Sequence, residues 1–234
     1  PSLAVDLPRP GAQLCSVGGQ FFPGGNVYVV YTVIDSHLSG TTVVTDSAKL
    51  YLSRSTDCAA KWSTPIMISG ASTLNQGSVM AIDTRTGHLF VVWRRISRGT
   101  DTNALLVTKS TDGGKTFSAP VLIRNITPFE QGTNGVSFRT PAYPTAVTDA
   151  DGRLYVAWAE RNGPSGGVPG ADKSDCRLML SNSPDRSTWP PPVMVSPTAP
   201  LAPLIRLGTP FIPALSVPSG PCSHVSYHLS ANPT

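Results

Sequence analysis

Charge is scarce in this chain. Of its 234 residues only 14% are Asp, Glu, Lys or Arg, and two alone are glutamates, Glu130 and Glu160. The basic residues are scattered, with no run beyond Arg94–Arg95, which sets nucleic acid aside as a partner because phosphate binding needs a denser patch. A net charge of +4 leaves a weak bias toward anionic partners such as acidic sugars. Long apolar runs are missing too. The longest, Val27 to Ile34, is broken by Thr32 and suits a buried strand rather than a membrane span. The four cysteines, Cys15, Cys58, Cys176 and Cys222, form no CxxC pair and lack metal-site spacing. His37, His88, His224 and His228 are dispersed, and the i, i+4 pair at the end shares a face only on a helix, where the sequence reads as strand. No metal and no cofactor is expected, and no elbow motif supports Ser/His/Asp catalysis.

Turn formers are plentiful instead, with 23 Pro and 21 Gly beside an ordinary 40% of apolar residues. That composition fits an all-β chain with a core. Its even cysteine count, in a Lys-poor and Ser/Thr-rich setting, points to a secreted or extracytoplasmic protein with up to two disulfides. Four buried thiols are the alternative, and spacing does not choose between them. No signal peptide is present and the chain begins at Pro1, which reads as a processed form or an excised piece.

Three phrases repeat along the chain. A β-rich stretch ending in an aromatic appears as Gly25–Tyr31, Gly87–Trp93 and Gly152–Trp158, and its aromatic recurs with periods of 62 and 65 residues. KLYLS (49–53), LLVTK (105–109) and RLMLS (177–181) follow, each leading to a Ser-x-Asp turn and a short strand beside prolines. VMAID (79–83) and PTAVTD (144–149) precede the second and third aromatic strands, and PALSV (213–217) opens a fourth unit in which Tyr227 takes the aromatic place. Each unit thus predicts a four-stranded antiparallel meander with strands of about 5 residues. One such sheet cannot cover both its faces, and radial stacking of several does.

The turn phrase resembles the Asp-box, Ser-x-Asp-x-Gly-x-Thr-Trp, of sialidase-like β-propellers. Its copies are Ser55, Asp57 and Trp62; Ser110, Asp112, Gly114 and Phe117; and Ser183, Asp185 and Trp189. The first copy has Ala59 at the Gly place and Lys61 at the Thr place, and the third is one residue short. The resemblance implies a structural role on the outer rim: the Asp carboxylate ties its own hairpin and the aromatic covers apolar surface between sheets. The fold expected is an all-β, sialidase-like propeller, incomplete, with blades near 17–70, 71–125 and 136–197 and part of a fourth at 208–234, in a single domain.

Sialidases hold a sugar carboxylate with three arginines and use a Tyr nucleophile with a Glu and an Asp. Phe138-Arg139-Thr140-Pro141 resembles the family's Arg-Ile-Pro phrase, but lies mid-chain with a longer spacing to the next turn. Arg139 and Glu160 are the resulting catalytic candidates, and Arg94, Arg139 and Arg161 the ligand-binding ones. No tyrosine is placed by motif as the nucleophile, so a full acid/base set does not assemble. The expected function is a propeller scaffold or glycan-binding module without catalysis of its own. The alternatives are an exo-α-sialidase, or a part of one, and an interaction module. A six-bladed propeller needs roughly 350 residues, so the chain is a piece of a larger polypeptide, closes a ring with another copy or chain, or forms an open array.

Overall fold

Short runs rich in β-branched, aromatic and other apolar residues, cut by Gly, Pro and Asp turns, dictate strands. The computed structural model describes residues 1–12, 14–23, 25–128, 142–161, 176–185, 187–195, 210–216 and 224–229; for Pro23, Arg161, Cys176 and the last two stretches it describes the backbone alone. The strands are β1 (Ser2–Val5), β2 (Leu14–Val17), β3 (Gln20–Pro23), β4 (Val27–Ser39), β5 (Thr42–Ser55), β6 (Ile66–Met67), β7 (Leu74–Ile82), β8 (Leu89–Ile96), β9 (Ala104–Ser110), β10 (Val121–Asn125), β11 (Thr145–Thr148), β12 (Leu154–Arg161), β13 (Cys176–Ser183), β14 (Val193–Met194), β15 (Pro210–Ser216) and β16 (His224–Leu229). No helix occurs among the described residues.

These strands form antiparallel meanders in chain order. The run β7-β8-β9-β10 is the second half of an eight-stranded sheet that also holds β1, β4, β5 and β6; β11-β12-β13-β14 form a four-stranded sheet, and β15 pairs with β16. The first meander runs β4-β5-β6, and β1 joins it beside β4 with Leu3 opposite Val29 and Val5 opposite Val27. Ser2–Val5, ahead of the stretch that the repeat marks at 17–70, therefore supplies the strand flanking β4. A single parallel bridge, Ala48 opposite Leu74, links the first meander to the second.

Two strands are much longer than the repeat predicts. β4 has 13 residues and β5 has 14, and their pairing continues past Asp35 through a register shift to a turn at Gly40–Thr41. The distal part, Val33 to Val43, is exposed because no second sheet lies over it; its Thr and Val residues favour extended backbone without needing a core.

The core lies between meanders, in two layers. Tyr28, Val30, Leu50 and Leu52 of the first pack on Leu89, Val91, Trp93 and Leu106 of the second. The opposite face of the second, Phe90, Val92, Leu105 and Val107, packs on Leu154, Val156, Trp158 and Met179 of the third. The alternation along β8 explains this: Val91 and Trp93 point one way, Phe90 and Val92 the other. Trp93 and Trp158 are wholly buried, and truncating either to alanine would cost about 3–5 kcal/mol. Their equivalent in the first meander, Tyr31, is half-buried and stacks on Tyr51 with ring centroids 6.4 Å apart.

Candidate functional site

The three Ser-x-Asp turns share one bonding scheme. In the second, the Ser110 hydroxyl donates to Asp112 Oδ1 (2.8 Å) and accepts from Gly114 N (2.8 Å), while Asp112 accepts from Lys115 N (3.0 Å), Thr116 N (3.0 Å) and the Thr116 hydroxyl (2.5 Å). In the third, Ser183 donates to Asp185 (3.1 Å), which accepts from Ser187 N, Thr188 N and the Thr188 hydroxyl. In the first, Ser55 donates to Asp57 (2.8 Å), and Lys61 N donates to it (2.8 Å). Lys61 has no hydroxyl, so the side-chain bond of the other two turns is missing there.

These bonds tune the carboxylates. The Lys61 N–H, followed by the Ser55 hydroxyl, holds Asp57 below the ordinary carboxylate range. Desolvation pushes Asp112 up, but the donors from Thr116, Ser110 and Lys115 together bring it well below that range. The Thr188 hydroxyl and N–H do the same for Asp185. All three carboxylates are occupied in their own hairpins. The aromatics that follow fill the layers between meanders: Phe117 joins the first–second layer and Trp189 the second–third layer. Trp62 remains 44% exposed.

A second series of Asp turns lies between the first two strands of the second and third meanders. Asp83 accepts from Arg85 N (2.9 Å) and the Thr86 hydroxyl (2.7 Å), and Asp149 accepts from Asp151 N (3.0 Å), Arg153 N (2.8 Å) and the Tyr155 hydroxyl (3.0 Å).

The disulfide is Cys15–Cys58. It fastens the β2–β3 hairpin to the first Ser-x-Asp turn, where Cys58 and Ala59 adopt φ of 56° and 70°. Gly113 and Gly114 hold the same left-handed positions in the second turn, with φ of 69° and 76°. The side chain of Cys176, and Cys222, lie outside the described residues.

A hollow of about 470 Å3 lies where the three meanders approach one another. Thr32 and Ile34 of β4, Gln76–Val79 of β7, and Tyr143 and Pro144 leading into β11 line it, together with Pro1. A bulge builds its floor. The β7–β8 register slips between Gln76 and Val79, and Gly77 takes φ of 65° there. A Cβ at Gly77 would lie 2.1 Å from Tyr143 Cδ1 and 2.3 Å from its Cγ. Glycine thus lets the Tyr143 ring lie against the backbone, and the Tyr143 hydroxyl donates to Gln76 Oε1 at 2.7 Å. Arg94 stands opposite Gln76 across the β7–β8 pair. It is 9% exposed, and its Nη2 donates to Asn103 Oδ1 (3.2 Å). Burial pulls its guanidinium below the usual value, against the opposing pull of Tyr143.

The other site candidates fare differently. Glu160 is half-buried on β12 and accepts from the Trp158 indole N–H at 3.1 Å, which binds it into the wall of the second–third layer. Arg161 ends β12 with its backbone opposite Cys176, and its side chain lies outside the described residues, as do Glu130 and Arg139. Arg94 follows Trp93 by one position and Glu160 follows Trp158 by two, so on equivalent strands they emerge on opposite faces. Among the described residues no group of three His, Cys, Asp or Glu is placed to hold a metal ion, and no helix is long and apolar enough to cross a membrane. Tyr143, Gln76 and Gly77 were missed by the sequence reading; a glycine inside a strand pattern, as at Gly77, is the signal that marks a bulge or a close approach.

No protein-family model and no curated protein matches this chain. Among solved structures it is similar to the Hadza microbial sialidase Hz136, at 18% identity over 76% of this chain and 35% of that one, with a TM-score of 0.45. It is also similar to a xylan β-1,4-xylosidase from Bacillus halodurans C-125, at 16% identity over 90% of this chain and 36% of that one, with a TM-score of 0.50. The chain thus spans about a third of the length of each. The likeness to the xylosidase is one of fold: an all-β chain of successive sheets in the manner of a propeller-type glycosidase.

Proposed function

We propose that the successive meanders are blades of an incomplete sialidase-like β-propeller, that the three Ser-x-Asp turns are its Asp-boxes, and that the chain is an extracytoplasmic glycan-binding module without hydrolytic activity of its own. The observation that carries this reading is the hollow itself. A bulge, a close-packed tyrosine and a glutamine amide face a cavity shared by three meanders, while Glu160 is engaged by Trp158. Recognition needs only such a placed polar set on a rigid frame; hydrolysis needs an acid and a nucleophile flanking the bond. The Cys15–Cys58 disulfide supports an oxidising compartment. Calorimetric titration with a glycan panel, run beside fluorogenic sialosides and xylosides, tests it: binding without turnover is expected. Turnover that disappears in Arg139→Ala or Glu160→Gln would replace it with the exo-α-sialidase reading.

A second reading, favoured by the first meander, is an interaction module. The face formed by Leu3, Val5, Val29, Tyr31, Tyr51 and Met67 is the equivalent of faces that lie buried in the second and third meanders. Here Leu3, Val5 and Met67 are 64%, 49% and 51% exposed. The occupant that fits is another sheet of this same kind, carried by a second chain, because such a sheet is what covers Trp93 and Trp158. Sedimentation showing a strictly monomeric 234-residue chain, with Tyr31→Ser leaving solubility unchanged, would dispose of it.

A further inference from the structure

Resting on the glycan-binding reading, we infer that the site takes a glycoside with an apolar aglycone: the sugar sits in the hollow and its hydrocarbon group runs out along the distal β4–β5 ribbon. One face of β4 makes the connection. Tyr28 and Val30 pack on the second meander, and Thr32 and Ile34, next on the same side, line the hollow. Ser36 and Leu38 continue that side beyond the hollow, with Thr45 and Val43 opposite them on β5. Ile34, Leu38 and Val43 are 54%, 71% and 66% exposed. They form an aliphatic stripe that begins in the hollow and leads out of it.

The charge of the ribbon lies on its other face. Asp35, His37 and, across the pair, Lys49 alternate with the stripe. The register shift after Asp35 sets Asp46 beside His37, with Nδ1 and Oδ2 2.7 Å apart. That face suits water, and the stripe does not. The ribbon is also held in place. Arg98, just past β8, donates from Nη1 to the Thr45 and Asp46 carbonyls and ties the ribbon to the second meander. A ligand lying on the stripe meets a frame already in position.

The order of groups along this track defines the ligand. At the inner end the Gln76 amide and the Tyr143 hydroxyl face the hollow, and hydroxyl-bearing rings pair with such groups. At the outer end Ile, Leu and Val side chains offer no hydrogen bond. A further sugar ring would leave hydroxyls against them, whereas a hydrocarbon gains by leaving water. Ile34 belongs to both parts, so one molecule reaches from one to the other. Residues 34 to 38 span about 13 Å of strand, the length of an extended alkyl chain of about eight to ten carbons.

The experiment titrates the 234-residue protein, by calorimetry and saturation-transfer NMR below micelle-forming concentrations, with the methyl, butyl, hexyl and octyl β-glycosides of glucose, galactose and xylose. Within each series the head group is constant, so whatever charge it meets cancels. Full burial of a methylene strengthens binding about fourfold, and a stripe covering one side of the chain about twofold. The octyl glycosides are therefore expected to bind about ten- to hundredfold more tightly than the methyl ones, after losses from ordering the chain. Leu38→Ser combined with Val43→Ser is expected to remove most of that gain, and Val33→Ser, on the opposite face, to leave it. Gln76→Ala is expected to weaken the methyl and octyl members alike, about fivefold. Circular dichroism and Tm verify that each variant is folded. Affinity independent of chain length, or a gain that survives the two serines, overturns the inference and leaves the glycan-binding reading standing. Octane-1,2-diol binding as tightly as the octyl glycosides also overturns it, by separating the stripe from the hollow, as does a tetrasaccharide that matches their gain. Self-association of the chain that the two serines abolish assigns the stripe to a second copy and overturns it too. No binding of any glycoside overturns both.

Discussion

Substituting Gly77 by alanine tests the floor of the hollow directly. The new Cβ would stand 2.1 Å from Tyr143 Cδ1 and 2.3 Å from Cγ, on a backbone with φ of 65°. Two costs follow. A non-glycine residue in the left-handed region loses about 1–2 kcal/mol. The ring must also leave its seat, which breaks the bond to Gln76 and costs about 0.5–1.5 kcal/mol. The total is about 1.5–3.5 kcal/mol, read as a lower urea midpoint at constant m-value. Gly113→Ala is the control. It shares the left-handed φ of 69°, yet its Cβ would meet only Asn26 Nδ2 at 3.6 Å and the Tyr28 hydroxyl at 3.8 Å, ordinary contacts, so about 1–2 kcal/mol is expected. In a Tyr143→Ala background the clash is gone and Gly77→Ala should cost only the backbone share. A coupling of about 0.5–1.5 kcal/mol is then expected, within the range of residues in contact. The reasoning fails if Gly77→Ala costs no more than Gly113→Ala, or if its cost is additive with Tyr143→Ala.

Ala59→Gly should stabilise the protein by about 0.5–1 kcal/mol in urea melts, since Ala59 holds φ of 70° where the second turn has Gly114; a loss would mean that the turn relaxes without strain. Removing the Cys15–Cys58 bond with Cys15→Ser and Cys58→Ser should cost about 2–4 kcal/mol, the chain-entropy value for a separation of 43 residues being near the upper end; hydrogen exchange should show the β2–β3 hairpin opening first. Stability should also fall in acid. Asp57, Asp112 and Asp185 are held below their ordinary range when folded, so their contribution is complete above the unfolded value near pH 4 and is lost as pH drops toward the folded values. Urea midpoints at pH 7, 4 and 3 should show this, with a shallower decline in Asp112→Asn.

The parts of the fold that local pattern specifies were legible. The stretches at 27–31, 89–93 and 154–158 became β4, β8 and β12, because a short run of β-branched and aromatic residues and its bounding turns both act within a few residues. What needed distant partners was not. Ser2–Val5 pairs with β4 across more than 20 residues, and four residues, Ser-Leu-Ala-Val, carry no signal of that pairing. The distal β4–β5 ribbon was hidden because its residues show no core periodicity. The reach of Trp158 to Glu160 was accessible in principle, since i and i+2 share one face of a strand, but which residue completes a buried indole depends on the layer around it. Trp93 uses Asn75 instead, at 2.9 Å.

The repeat and its departures carry different information. At equivalent places the sequence offers Trp62, Phe117 and Trp189, three aromatics after three similar turns. Phe117 packs into the layer between the first and second meanders and Trp189 into the layer between the second and third, so each turn's aromatic covers the meander that precedes its own. Trp62, by the same rule, has its partner ahead of the first meander, and its 44% exposure follows from position rather than composition. Gly77 is a departure of the other kind: nothing in the repeat calls for a glycine inside β7, and a strand without the bulge would pair more completely with β8. A weakened ladder persists where another contact requires it, and here that contact is the Tyr143 ring lining the hollow. The repeated residues therefore account for how the sheets stack, and the unrepeated Gly77–Tyr143 pair for the shape of the hollow between them.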